Sequence, residues 1–252
     1  MKKLKLLIVT LTALACLCLA GCKKKENVND ILNYTELPDG TLQVTELLDF
    51  SVKKIVIPAS VNGKKVTSIG IGAFSGYNGE GFFFGGPKLT SVSLPNSVTE
   101  IGAHTFDGCT GLTSVFIPDS VTQIGECAFY GCGLTSVSLP NSVTEIGESA
   151  FLYCTELTSV SIPDSVSEIG SSVFMNCSAL TSVSIPNSVT KIGWEAFRLC
   201  TSLTSISIPD SVTHFGEDIF KDCSALTSIY VSEGSYAETY VKENYPNLLK
   251  YR

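Results

Sequence analysis

The chain has 252 residues, 44% hydrophobic and only 16% charged, with 24 acidic against 17 basic side chains and a net charge of −7. That much apolar content argues against disorder, and the acidic balance argues against a nucleic-acid partner, because phosphate binding needs a basic field. The length suits one elongated domain whose surface is mostly Ser, Thr and Asn.

Residues 1–21 read as an export signal: Lys2, Lys3 and Lys5, an apolar run over 6–19, then Leu19-Ala20-Gly21-Cys22. The run is too short and too one-sided for a transmembrane helix. The L-A-G-C ending looks like a bacterial lipoprotein signal, in which Cys22 becomes the first mature residue and carries diacylglycerol. The other reading is an ordinary secretory leader cut at small residues. Acyl chains at about 0.8 kcal/mol per buried CH₂ would hold the mature chain on its membrane. Without the three leader lysines, 14 basic residues face 24 acidic ones, a balance of −10. Residues 22–33 form a polar tether whose lysines either touch anionic headgroups or stay solvated.

Residues 34–51 read as an N-terminal cap, two short strands joined at Pro38-Asp39-Gly40, a hairpin signal. Residues 52–231 are repeats. The first is degenerate (Ile55-Val56-Ile57-Pro58, Val66 to Gly70, Ala73-Phe74), carries extra residues around Asn62-Gly63-Lys64-Lys65 and lacks a cysteine. A glycine-rich insert over 76–86 follows. Its Phe82, Phe83 and Phe84 either fold back on the first coil or offer a mobile interaction site.

From 89 to 229 one pattern recurs, L-T-S-V-S-[LI]-P-[ND]-S-V-T-x-I-G-x-x-A-F-x-x-C, its leucines at 89, 112, 134, 157, 180, 203 and 226. Alternating valine and serine predict a strand with one buried face, and proline ends it in a turn. The recurring glycine (Gly102, Gly125, Gly147, Gly170, Gly193, Gly216) suits positive φ or close backbone approach. A helical or 3₁₀ turn would then bury the phenylalanine and cysteine. This period predicts a leucine-rich-repeat solenoid, mainly β, of six to seven stacked coils. In the C-terminal cap, 232–252, Ser235-x-x-Glu238 has capping-box spacing. A helix over 235–244 would put Tyr236, Tyr240 and Val241 against the last coil, and Pro246 would stop it.

The register of proline, I-G, A-F and C resembles the treponemal-type, or BspA-like, repeat of bacterial surface leucine-rich-repeat proteins. The resemblance implies a right-handed solenoid and a place on the cell surface, with attachment to host extracellular-matrix proteins or other cells. It brings no catalytic residues and no cofactor.

Of ten cysteines, Cys16 and Cys18 leave with the leader, and Cys109, Cys132, Cys154, Cys177, Cys200 and Cys223 share one repeat column. Parallel side chains in a column lack disulfide geometry, and a line of thiols supplies no zinc tetrahedron, so buried thiols and no metal are expected. Cys127 stands apart, in a polar column with His104, Ser149, Ser172, Glu195 and Asp218. Its neighbour His104 makes a Cys–His dyad conceivable, but the position varies freely and no third orienting group is visible, so no enzyme is expected.

The strand face is nearly all serine, broken only by Phe116 and Tyr230. The column after the core phenylalanine reads Asp107, Tyr130, Leu152, Met175, Arg198, Lys221, flanked by Tyr153, Leu199 and Trp194. Such a strip either forms a binding site or lies over its own turns and completes the core. Two functions are therefore open: a surface lipoprotein, on the outer membrane or cell surface, that binds proteins or glycans, or an envelope spacer without a ligand.

Overall fold

Where valine alternates with serine, the chain lays down a short strand and stacks it on the equivalent strand one repeat earlier. In the computed structural model, which describes residues 28–75 and 86–252, strands Lys54–Val56, Ser91–Ser93, Ser114–Phe116, Val137–Ser138, Ser159–Ser161 and Ser182–Ser184 form one parallel ladder. Ser205–Ser207, Ser228–Val231 and Leu249–Tyr251 form another. A second side of each coil is built by S-V-T-x-I, whose strands run in parallel from Lys64–Ile69 through Glu145–Ile146 and again from Glu168–Ile169 to His214–Phe215. The result is a β-solenoid of about nine turns, more than the six or seven the leucines suggest. The excess arises because both caps join the ladders. Leu42–Leu47 of the N-terminal hairpin pairs parallel to Lys64–Ile69, and Leu249–Tyr251, beyond the helix, pairs parallel to Ser228–Val231.

Between the two strand columns the core is closed by stacked phenylalanines. Phe74, Phe106, Phe129, Phe151, Phe174, Phe197 and Phe220 lie with centroids 5.3–5.8 Å apart and planes within 4–15°. Two further columns are polar ladders. Thr99, Thr122 and Thr144 donate to the carbonyl of the matching residue one coil earlier at 3.2–3.3 Å. Ser97, Ser120, Ser142, Ser188 and Ser211 donate to valine carbonyls at 2.6–2.7 Å, and Ser165 does so to Val143. Each net bond contributes about 0.5–1.5 kcal/mol, so these hydroxyls are part of the stacking rather than mere surface.

The six column cysteines are free thiols, and each Sγ donates to the carbonyl of the preceding coil's phenylalanine at 3.0–3.3 Å, from Cys109 to Phe74 through to Cys223 to Phe197. Burial pushes these thiols up, Cys109 to about 12. Alkylation of the native mature chain is therefore expected to leave all six unmodified, with denaturant releasing them together. Disulfide-linked peptides between adjacent coils would contradict this.

In the turn, every second amide points at the following coil: His104, Phe106 and Gly108 donate to the carbonyls of Glu126, Ala128 and Tyr130 at 2.8–2.9 Å. This alignment needs left-handed residues. His104, Cys127, Ser149, Ser172, Glu195 and Asp218 all have φ of 52–57°. The recurring glycine two residues earlier is there for the second of its possible reasons, close approach. A Cβ on Gly125 would lie 2.5 Å from the Ala103 nitrogen, and one on Gly147 2.4 Å from that of Glu126. Because a β-branched side chain tolerates αL poorly, Ser172→Val is expected to cost about 1–2 kcal/mol, whereas Ser172→Gly is neutral or stabilising in denaturant unfolding.

The C-terminal helix spans Tyr236–Asn244, and Ser235 caps it by accepting from the Glu238 N–H at 3.1 Å. Val241 is fully buried and the Tyr240 ring stacks on Phe215 at 4.3 Å, but Tyr236 is 67% exposed, contrary to the expected face. Its place on the last coil is taken by Tyr245, beyond the helix, whose hydroxyl accepts the Phe220 N–H at 3.1 Å. Lys242, the Tyr251 hydroxyl and the Gly234 N–H hold the Glu238 carboxyl down to about 2. A carboxylate depressed in the folded state stabilises above its ordinary value, 4.5, and that stability is lost as pH falls through the folded value. Wild type is thus expected to lose stability between about pH 4.5 and 2, and Glu238→Gln to flatten that part of the curve.

Candidate binding surface

The backbone ladder that stacks the turns also sets their side chains in rows. Gly131 donates to Leu152, Tyr153 to Met175 and Asn176 to Arg198, at 2.7–3.0 Å, so Tyr130, Leu152, Met175 and Arg198 stand on consecutive coils. Tyr130, Leu152, Met175 and Leu199 are half-buried, while Tyr153 and Trp194 are 41% and 65% exposed. The Tyr130 and Tyr153 rings meet at 5.5 Å and 58°. The row is therefore neither fully displayed nor swallowed by the core. Cys22 and the Phe82 to Phe84 triplet lie outside the described residues.

The expected charged ends of the row are engaged. Arg198 pairs with Glu195 and, at 3.5 Å, with Asp222, while Lys221 pairs with Asp218 at 2.7 Å. Asp107 is not a solvated charge at all. It is 2% exposed, and its Oδ2 lies 2.9 Å from Nδ1 of His104. Burial raises its carboxyl, against the lowering effect of the imidazole. A group orienting His104 therefore exists, which the sequence reading missed because the i,i+3 pair spans a left-handed residue. The Cys127 thiol is pushed up to about 11, chiefly by burial and then by Glu126 and Asp107, the reverse of an activated nucleophile.

Farther along, the second ladder breaks between Glu145–Ile146 and Glu168–Ile169. The coils part there: a Cβ on Gly170 would meet nothing closer than 3.5 Å, against 2.4–2.8 Å in the glycines of three other coils, Gly102, Gly125 and Gly147. The gap is a shallow groove lined by Glu148, Ser171 and Lys191, and Trp194, His214 and Phe215 extend it toward the C-terminus. The indole of Trp194 covers Gly216, whose missing Cβ would lie 2.3 Å from its Cδ1. Exposed Ile71 (77%) and Phe116 (68%) stand apart from this surface.

Residues 78–197 and 153–248 match the model of the BspA type leucine rich repeat region, in six copies. The chain belongs to the BspA-type leucine-rich-repeat family. Among solved structures, this BspA-type chain is similar to the leucine-rich repeat protein of T. pallidum, at 31% identity and a TM-score of 0.74, over 90% of this chain and 98% of that one. It is also similar to a leucine-rich repeat protein from Bacteroides ovatus, at 29% identity and a TM-score of 0.54, over 83% of this chain and 66% of that one. No curated protein matches it. The family and these neighbours are non-enzymatic scaffolds. Among the described residues, no helix is long and apolar enough to cross a membrane.

Proposed function

We propose that this BspA-type chain is a lipid-anchored cell-surface module that binds a protein or glycan of a host or neighbouring cell on its turn face. Cys22 carries the lipid in this reading, the tether lets the solenoid stand off the outer membrane, and no catalysis is involved. The observation that supports it is the row Tyr130, Leu152 and Met175, half-buried beside exposed Tyr153 and Trp194, in a repeat whose outward positions are otherwise mostly Ser, Thr and charged residues. Rigid aromatic and aliphatic side chains held by a stiff backbone ladder bind at little entropic cost. The groove beside Trp194 adds a flat indole with Lys191 and Glu148 nearby, a combination that suits a sugar or an extended peptide.

Replacing Tyr130, Leu152 and Met175 together by serine is expected to weaken attachment to immobilised matrix proteins or target cells by about tenfold or more, with the circular dichroism spectrum unchanged. Undiminished attachment by the folded triple variant would remove the row from the site. No attachment by wild type to any such surface would favour the spacer reading.

A further inference from the structure

We infer that the parting of the coils between Glu145–Ile146 and Glu168–Ile169, with Trp194 at its end, is a subsite for an uncharged sugar whose hydroxyls bridge the two coils. This assignment rests on the reading of the chain as a binding module, but not on the row Tyr130, Leu152 and Met175. Where the second ladder is intact, it carries matching rungs from coil to coil. The amides of Thr122 and Gly125 donate to the carbonyls of Thr99 and Ile101, and past the gap those of Thr190 and Gly193 donate to Ser167 and Ile169, all at 2.7–2.9 Å. The two rungs between, Ser167 to Thr144 and Gly170 to Ile146, are unmade, and these amides and carbonyls have no backbone partner among the described residues. Two donors on one coil thus face two acceptors on the other. Glu148, Glu168 and Ser171 line a cavity of about 310 Å³ here, which shares walls with one of about 460 Å³ at Trp194 and His214.

The opening is a wedge, because the same two coils stay bonded elsewhere. Ser149 donates to Ser171 and Phe151 to Val173 at 2.9–3.0 Å, and Val137–Ser138 pairs with Ser159–Ser161. An inserted peptide strand needs about 4.8 Å on each side, and so coils about 9.6 Å apart, which these bonds oppose. A hydroxyl needs less. Accepting from an amide at about 2.9 Å and donating to a carbonyl at about 2.8 Å, it spans N and O about 5–6 Å apart and satisfies both. A sugar carries several such hydroxyls on one rigid ring. Trp194, 65% exposed, supplies a flat indole whose negative face meets the C–H bonds of a pyranose. Charge selects among sugars. Glu145, Glu148 and Glu168 border the gap, Lys191 is paired with Glu168 at 3.2 Å, and the sequence has no lysine or arginine between Lys88 and Lys191. Neutral hydroxyls donate to such carboxylates, whereas acidic sugars are repelled by them.

Trp194 is the only tryptophan of the chain, so its fluorescence reports this groove alone. The test is titration of the detergent-solubilised full-length chain with mannotriose, cellotriose and N-acetyllactosamine, against trigalacturonate and the peptide Lys-Val-Lys-Val-Lys. At least one neutral sugar is expected to shift the emission saturably with a Kd of about 1 mM or lower, and trigalacturonate to bind about tenfold more weakly or worse. By calorimetry, Trp194→Ala and Glu148→Ala should each weaken that sugar by about tenfold or more. Both side chains are exposed, so both variants should fold. No response to any neutral sugar, an equal response to trigalacturonate, a response to the peptide alone, or undiminished binding by the folded Trp194→Ala variant overturns the subsite. Wild type that attaches to cells but answers none of these sugars overturns the subsite and leaves the binding reading standing. A sugar response without attachment supports the subsite and removes the cell-attachment reading.

Discussion

Phe174→Ala is expected to lower the free energy of unfolding by about 3–5 kcal/mol, the range for emptying a large aromatic from a closed core. Phe174 is fully buried and stacked at 5.6 Å on both Phe151 and Phe197. Each lost ring pair adds about 0.5–1.5 kcal/mol to the area term, and coils locked by flanking ladders cannot collapse into the gap. A repeat array is held by nearest-neighbour terms, so a mid-array cavity should also split cooperativity. Denaturant unfolding should show two transitions, one for each side of the damaged coil. A single transition with a loss under about 1 kcal/mol would mean that the rings fill space without coupling the coils.

The second large effect is at the inter-coil glycine. Gly125→Ala would place a Cβ 2.5 Å from the Ala103 nitrogen and 2.7 Å from the Gly102 carbonyl carbon, both backbone atoms with no rotamer to give way. The coils must part, breaking the Gly125 N–H bond to Ile101 at 2.8 Å and disturbing the aligned amides beyond it. Overpacking at about 1–3 kcal/mol plus a lost buried bond gives a cost of about 3 kcal/mol. Gly125→Asn separates the two explanations. If positive φ were the reason for glycine, asparagine would be tolerated; if close approach is the reason, asparagine is as damaging as alanine. Gly170→Ala, in the opened gap, is expected to cost less than about 1 kcal/mol.

Much of this fold can be read from residue order because a repeat states its own register. Val92, Leu94, Ile101, Phe106 and Cys109 each name a column, and burial follows from strand alternation. What escaped was whatever depends on two coils at once. Nothing in a single repeat says that Ser97 bonds to Val66, that Cys109 donates to Phe74, or that His104 must be left-handed to aim its amide at Glu126. The Asn62-Gly63 hairpin, by contrast, is local and carries its own signal: both residues have positive φ and join Ser60–Val61 to Lys64–Ile69 in an antiparallel pair, as an Asn-Gly turn dictates. The candidate surface was legible as a row but not in its degree of burial. The parting of the coils at Gly170 had no signal, since the local sequence E-I-G-S-S keeps the repeat.

The functional account stands on display: a module that attaches to other cells must face them. Labelling intact producing cells with a membrane-impermeant amine reagent, then recovering the chain and comparing it with cells whose envelope has been opened, measures this directly. The account predicts that Lys53, Lys54, Lys191 and Lys221 are modified to the same extent on intact and opened cells, and that Cys22→Ala releases the chain into the medium. Labelling seen only after the envelope is opened would contradict surface binding and leave the chain as a scaffold inside the envelope.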